Sequence, residues 1–596
     1  MLESLDVASA APYTGGHGYE WVQATGRFAV EVARPGNDRI TDLDLAPTGD
    51  DGCVRFDADV RLLRPTGEGN GKLLFVVANR GFLGGVPFSA DAPMQFGPSE
   101  DLHPGDGFLL QQGWTIAWCG WQHDVLRGAG VVGLTAPVAD VEPGWTRLEW
   151  RPDAVQDDHP LSDSSFLFTF ADQPTVDVDD EQAILTSRTS PDGERTVVDR
   201  STWRFTDATH IALDGGFEAF HWYELVYRTA PAPVAGVGFL AVRDLVSDLR
   251  KDHDHAFAYG VSQSGRFLRH LLWEGLNVDE AGAPVFDGVF AHIAGGRRGE
   301  FNARYGHPSF THVIGWSNPE PYDTTALLAR QRSLGGVPKL LLTNTAWEYW
   351  RGDGALVHID PTTGGDLPED PDTRTYLLSG TDHIGTMPMK DSLPTQNPVH
   401  HLDTGPILRA LFVELDQWVT AGSEPPPSQV PRWNDGTASW RSDVLDQFPH
   451  VAIPDVAVLN VTRSVDLGPD ADRGIGRFPI RLGEAVAAVV ADVDEDGNEA
   501  AGIRLPEVAA PVAAFTGWNP RRHVDGLPDV LYEFVGGRLP FPPGRPTLAE
   551  RYGDRDGYAE AARRAAQALV AGRFLLEVDV DRAVASALAA YDEVSA

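Results

Sequence analysis

One stretch constrains this chain more than any other: His255-Ala-Phe-Ala-Tyr-Gly-Val-Ser-Gln-Ser-Gly-Arg-Phe-Leu-Arg-His-Leu-Leu-Trp-Glu-Gly275. Ala256 to Tyr259 read as a short apolar strand and Gly260 to Gly265 as a tight turn of small residues. Phe267, Leu268, Leu271 and Leu272 form the buried stripe of a following helix. A strand, a turn and a helix with a serine in the turn is the order a nucleophile elbow needs. The serine sits on strained backbone with Oγ projecting above the sheet edge, so its neighbours at −2 and +2 must be small. Ser262 meets that demand with Gly260 at −2 and Ser264 at +2, although glycine arrives only at +3, as Gly265. Ser264 is the rival nucleophile, but its neighbours would be Ser262 and the bulky Arg266. A turn of this kind also serves simply to pack a helix on a sheet, or to cradle a phosphate at a helix N-terminus. Neither G-x-G-x-x-G nor G-K-[ST] occurs in the stretch to favour the phosphate.

Serine attack on an acyl group needs a base to take the Oγ proton and an acid to orient that base. In the order Ser, acid, His, both follow the serine in the chain. Leu378-Ser-Gly-Thr-Asp-His383 places a histidine in the loop after the last core strand, where the base belongs; His270, His292, His307, His312, His358, His400 and His401 are its rivals. Thr343-Asn-Thr-Ala-Trp-Glu348 follows the preceding strand and brings a carboxylate to the same sheet edge, with Asp353 and Asp323 as alternatives. An unpaired carboxylate among Trp347 and Trp350 would be costly, so Glu348 is expected to have a fixed partner. The oxyanion hole is expected from the N–H of Gln263 and from Arg80 or Gly81, in the glycine-rich loop Asn79 to Gly85. Two further roles stay open for Arg80, holding a substrate carboxylate or forming a salt bridge.

The rest of the chain supplies a frame for that site. Residues 1–126 read as N-terminal strands and the first part of an α/β core: Phe28-Ala-Val-Glu-Val and Cys53 to Leu62 alternate, while Lys72 to Ala78 and Gly113 to Trp121 are buried-strand runs. Residues 127–230 read as a β-rich insertion, with strands such as Phe166-Leu-Phe-Thr-Phe and Ala183-Ile-Leu-Thr-Ser. Residues 231–422 complete the core: a helix from Gly236 to Leu249 with one buried face, the elbow, strands at Gly288–Ala294, Lys339–Thr343 and Arg374–Leu378, and a closing helix through Leu408 to Val419. Residues 423–596 read as an extension packed on the core, with a hairpin near Val489 to Pro506 and helices from Tyr558 onward.

Composition narrows the function classes. A hydrophobic content of 42% over 596 residues is that of a folded globular chain. A formal charge of −38 opposes binding to nucleic acid or an anionic membrane. Met1-Leu-Glu-Ser-Leu-Asp has no basic n-region or apolar h-region, and no run approaches the roughly eighteen apolar residues of a membrane span, so a soluble, cytoplasmic protein is expected. Cys53 and Cys119 lack metal or redox spacing, which suits a reducing compartment. Asp492 to Glu499 begins like a calcium loop, but position twelve would be Ile503, so an Asp-Gly turn fits better, with calcium as the alternative. Asp252-His253-Asp254-His255 lacks third and fourth metal ligands.

The chain resembles the alpha/beta hydrolase domain-containing proteins through Ile40-Thr-Asp-Leu-Asp-Leu-Ala-Pro47, Asn79-Arg-Gly81, Val242-Arg-Asp244, Gly260-Val-Ser-Gln-Ser-Gly-Arg266, Glu348-Tyr-Trp350, Gly380-Thr-Asp-His383, Asp494-Glu-Asp-Gly-Asn-Glu499 and Gly502-Ile-Arg504. Its elbow also resembles the G-C-S-R-x-G form of glucuronoyl esterases, whose serine stands three residues before the glycine. The resemblance implies an alpha/beta-hydrolase fold with a mostly parallel central sheet. Together the residues predict a serine hydrolase that cleaves a small-molecule carboxylic ester through an acyl-enzyme on Ser262, with His383 as base and Glu348 behind it. The predicted chemistry needs neither metal nor organic cofactor. Acyl transfer with the same triad, and a catalytically silent binding module, are the alternatives. Trp118, Trp121, Trp347 and Trp350 suggest an aromatic-lined pocket.

Overall fold

The computed structural model describes every residue except 93–94, 96, 163–169, 311–319 and 596. At its centre lies a ten-stranded sheet. The first strands are β1 (Leu2–Pro12), β2 (Tyr19–Glu31), β3 (Cys53–Pro65), β4 (Lys72–Val76) and β5 (Thr115–Cys119). The last four are β6 (His255–Val261), β7 (Gly288–His292), β8 (Lys339–Thr345) and β9 (Thr373–Leu378). The order is β1-β2-β3-β5-β4-β6-β7-β8-β9, with Leu134–Thr135 pairing beside β3. Pairing is antiparallel through β1, β2, β3 and β5. From β5 to β9 it is parallel throughout. The sequence dictates this division: β3 alternates buried and partly buried residues, whereas β5 and β7 are buried at every position, as strands covered on both faces must be.

Helices supply the cover. α1 (Val237–Leu249), α2 (Gln263–Glu274), α3 (Thr324–Leu334), α4 (Ala346–Arg351) and α5 (Gly405–Ala421) follow in the chain. Val242, Leu245, Phe267 and Leu271 of α1 and α2 share one apolar core with Ala256 and Ala258 of β6. Leu411, Phe412, Leu415 and Trp418 of α5 pack on the opposite face, against Phe257, Phe290 and Leu341. The strand residues alternate between the two cores, as a period of two requires. The fold is that of an alpha/beta hydrolase.

Two elements differ from their sequence reading. α1 is buried on every side from Val237 to Val246, not on one face. Arg243 and Asp244 survive there as an ion pair at 2.7 Å, and Asp244 also meets the Met1 amine at 3.1 Å. That amine immediately precedes β1, an edge strand whose run of Ser, Asp and Ala gives no apolar pattern. The expected hairpin after Val489 is likewise not a simple one. Val489–Ala491 pairs with Ala438–Trp440, the Asp-Gly turn is closed by one bridge between Val493 and Glu499, and Ile503 bridges to Leu378 at the end of β9. Its second arm leaves for the central sheet before it can zip.

The inserted region folds on its own core of Leu148, Trp150, Leu185, Phe217 and Tyr227, between a four-stranded and a three-stranded sheet. Ile184–Arg188 lies where a strand was expected, whereas Phe166 to Thr169 fall outside the described residues. The chain ends in α6 (Arg555–Ala571) and α7 (Val580–Ser595). Among the described residues no helix is long and apolar enough to cross a membrane, and Cys53 and Cys119 are free thiols.

Candidate active site

Strand β6 ends at Val261 and α2 begins at Gln263, which leaves Ser262 alone in the turn with φ 58° and ψ −115°. A non-glycine residue holds that conformation only where its surroundings enforce it. Here the Ser262 N–H donates to the His292 carbonyl at 2.8 Å, and the Ser262 carbonyl accepts from the Arg266 N–H at 2.9 Å. The small neighbours are explained by contact. A Cβ on Gly260 would stand 2.5 Å from the Ser264 carbonyl oxygen, and one on Gly265 would stand 3.0 Å from the His292 carbonyl oxygen. Ser264 is buried with no hydrogen-bond partner for its Oγ.

His383 follows β9 in a short loop and reaches back over the elbow. Its Nε2 lies 2.9 Å from Ser262 Oγ and its Nδ1 lies 2.6 Å from Glu348 Oε1. Glu348 is fully buried at the start of α4, immediately beyond β8. Its other oxygen, Oε2, accepts from the Thr345 N–H at 2.9 Å and from Thr345 Oγ1. The first turn of the helix therefore holds the carboxylate in place, as a capping box does. A carboxylate at Nδ1 requires the proton there, which leaves the Nε2 lone pair for the serine hydroxyl.

The rival residues are engaged elsewhere. His270 contacts Glu274 at 3.3 Å, His358 the Tyr349 hydroxyl at 3.1 Å, His400 the Thr516 carbonyl at 3.2 Å and His401 Asp391 at 2.9 Å. His307 packs against Phe310, and His312 lies outside the described residues. His292, next to the elbow, bonds to Thr343 Oγ1 at 2.8 Å; burial, and then the neighbouring His383, push its pKa down to about 3. Asp323 caps α3 through the Ala326 N–H, and Asp353 is paired with Arg351.

The expected second oxyanion donor needs correction. The Arg80 N–H donates to Gln263 Oε1 at 3.1 Å, while Gln263 Nε2 donates to the Pro308 carbonyl at 2.6 Å. Arg80 has φ 52°, and its N–H is taken by the side chain of the first residue of α2. Gly81 is not among the residues that line the cavity over Ser262, and a Cβ there would lie 2.6 Å from Val131 Cγ1. The Gln263 N–H, at the first residue of α2, has no acceptor within its helix.

Other residues hold the loop of His383, in a role that the sequence reading did not assign to them. Asp382 is buried against Lys390 at 2.5 Å and accepts from the Gly536 N–H at 2.8 Å. Glu499 accepts from the Gly380 N–H at 2.8 Å, and burial pushes its pKa up to about 8. Phe534 lies against the His383 ring at 4.9 Å. These partners come from far along the chain, and no local pattern announces such a contact.

A cavity of about 530 Å³ opens over Ser262 and His383. Its apolar wall is Leu83, Val86, Phe88, Tyr259, Leu408 and Phe534, and Arg80, Arg266 and Arg351 also line it. The four tryptophans expected there are core residues instead, each at most 2% exposed. The acidic turn is also committed: Asp494 meets Arg504 at 2.6 Å, and Asp496 meets Arg545 at 2.7 Å. His253 bonds to the Leu249 carbonyl at 2.8 Å. Among the described residues no three His, Cys, Asp or Glu side chains are grouped to hold a metal ion.

A parallel sheet that delivers a strained serine, a carboxylate and a histidine to one edge is the layout of an alpha/beta hydrolase. The chain belongs to the family described as alpha/beta hydrolase domain, whose model matches residues 239–585, more than half of the sequence. No curated protein matched. Among solved structures, the chain is similar to a glucuronoyl esterase from Solibacter usitatus, at 12% identity over 63% of this chain and 81% of that one, with a TM-score of 0.26. It is also similar to a promiscuous CE15 esterase from the marine bacterial metagenome, at 10% identity over 63% and 80%, with a TM-score of 0.27.

Proposed function

We propose that this protein is a serine hydrolase of carboxylic esters. One observation carries the reading: Ser262 Oγ, His383 and Glu348 form a continuous chain at 2.9 and 2.6 Å on the floor of a cavity. Ser262 Oγ attacks the ester carbonyl carbon and its proton passes to His383 Nε2. Negative charge then develops on the carbonyl oxygen, next to the Gln263 N–H and the positive end of α2. Collapse of the tetrahedral intermediate breaks the C–O bond, and His383 gives its proton to the departing alcohol. Water, deprotonated by His383, attacks the acyl-enzyme; the acid leaves and Ser262 regains its proton. Glu348 holds the ring and stabilises the imidazolium in both halves. The partner of this site is a small-molecule ester.

The test is turnover of an unactivated ester. Ethyl butyrate followed by pH-stat and by product analysis is expected to give butyric acid and ethanol one for one, at about 1 to 1000 turnovers per second for a well-matched acyl group. Failure of the folded protein to cleave either ethyl or 4-nitrophenyl esters across a panel of acyl lengths would remove the reading.

A further inference from the structure

The wall beside Ser262 holds a guanidinium that has no ion-pair partner among the described residues. Arg266 is 4% exposed, lies one turn beyond Ser262 on α2 and lines the cavity. Side chains on a helix lean toward its N-terminus, which brings this guanidinium back toward the serine. Among the described residues no group accepts a hydrogen bond from it, and its Nε is buried without a partner. Arg80 and Arg351 line the same cavity. Asp353 is the nearby carboxylate, but Arg351 holds it at 2.6 and 3.0 Å and Arg297 approaches it at 3.5 Å. Glu348 is taken by His383 and Thr345. Burial first, then Arg351 and Arg80, disfavour the charged form of Arg266, with Asp353 opposing them.

A buried, unpaired cation is costly, and a guanidinium does not escape the cost by losing its proton as a lysine would. A ligand anion would remove it. We propose that Arg266, supported by Arg80 and Arg351, binds a carboxylate on the substrate, so that the ester cleaved at Ser262 carries a free carboxylate a few bonds from its scissile carbonyl. The planar fork of arginine suits a carboxylate in a bidentate pair. The substrate class rests on the ester-hydrolase reading, whereas the carboxylate site does not.

The test separates the two. In the Ser262→Ala protein, which cannot turn over, calorimetry with monomethyl glutarate and dimethyl glutarate is expected to show the monoester binding about 30-fold more tightly. Adding Arg266→Gln is expected to reduce that preference to about threefold or less, with Arg266→Lys in between. Equal affinity for the two esters, or a preference that survives Arg266→Gln, overturns the proposal. If Arg266→Gln does not fold, the preference measured with Arg266 in place decides alone. In the active protein, kcat/KM for mono-4-nitrophenyl glutarate is expected to exceed that for 4-nitrophenyl pentanoate, and Arg266→Gln is expected to cut the glutarate value selectively. Equal losses on both substrates would assign Arg266 to the transition state and overturn carboxylate recognition. Monoester preference in calorimetry with no hydrolysis of either substrate would retain the carboxylate site and remove the hydrolase.

Discussion

Replacing His383 by alanine is expected to lower kcat for ester cleavage about 10⁴- to 10⁶-fold, because nucleophile and base act as one unit and loss of either disables both. Without the imidazole, the Ser262 hydroxyl must lose its proton to water, and no group returns a proton to the departing alcohol. The fold should tolerate the change. The His383 side chain is 12% exposed at the cavity floor and packs on Phe534 from one side, so its loss opens the cavity slightly without splitting a core. Steady-state kinetics on Ser262→Ala, His383→Ala and the double variant check the claim. The double variant is expected to be no slower than either single one, the sign of a shared function. A loss below about tenfold in His383→Ala would show that another base serves.

Glu348→Gln is expected to cost about 10³- to 10⁴-fold in kcat with little change in KM. With its amide oxygen on the Thr345 N–H, the substitution keeps the start of α4 capped. What changes is the group facing His383 Nδ1. If the amide NH₂ faces it, the ring proton moves to Nε2 and the serine loses its acceptor; in either amide orientation the imidazolium loses its counter-charge. Glu348→Ala removes the cap as well, adding about 1 kcal/mol of lost stability from that source. Kinetics beside thermal melts of both variants separate the effects. Near-normal kcat in Glu348→Gln would mean that the buried carboxylate is only structural.

The meeting of Ser262, Glu348 and His383 was legible because each lies at a strand end with a local mark. The apolar run of β6 stops at a turn of small residues, and the glycines at 260 and 265 are required by contacts of 2.5 and 3.0 Å. Glu348 and His383 follow consecutive parallel strands, so chain order and sheet order together bring them to one edge. Elements fixed by distant partners were not legible. β1 carries no apolar alternation, the Arg80 N–H is diverted by a glutamine side chain on another element, and Ile503 joins the central sheet from the extension. The tryptophans were misplaced because large aromatic residues at strand ends fill core and cavity wall alike, and sequence spacing does not say which side they face. Arg266 stood in the sequence only as a bulky neighbour of the elbow. Its position one turn after the serine gains meaning because no described residue partners it, which only three-dimensional packing reveals.

The central claim, an activated Ser262, is tested most directly by reaction with a fluorophosphonate probe, read by intact mass and then by peptide mapping in the wild type and in Ser262→Ala. One probe per chain is expected, on Ser262, with none on the folded Ser262→Ala protein. A label on Ser264, or equal labelling of the two proteins, would contradict the account.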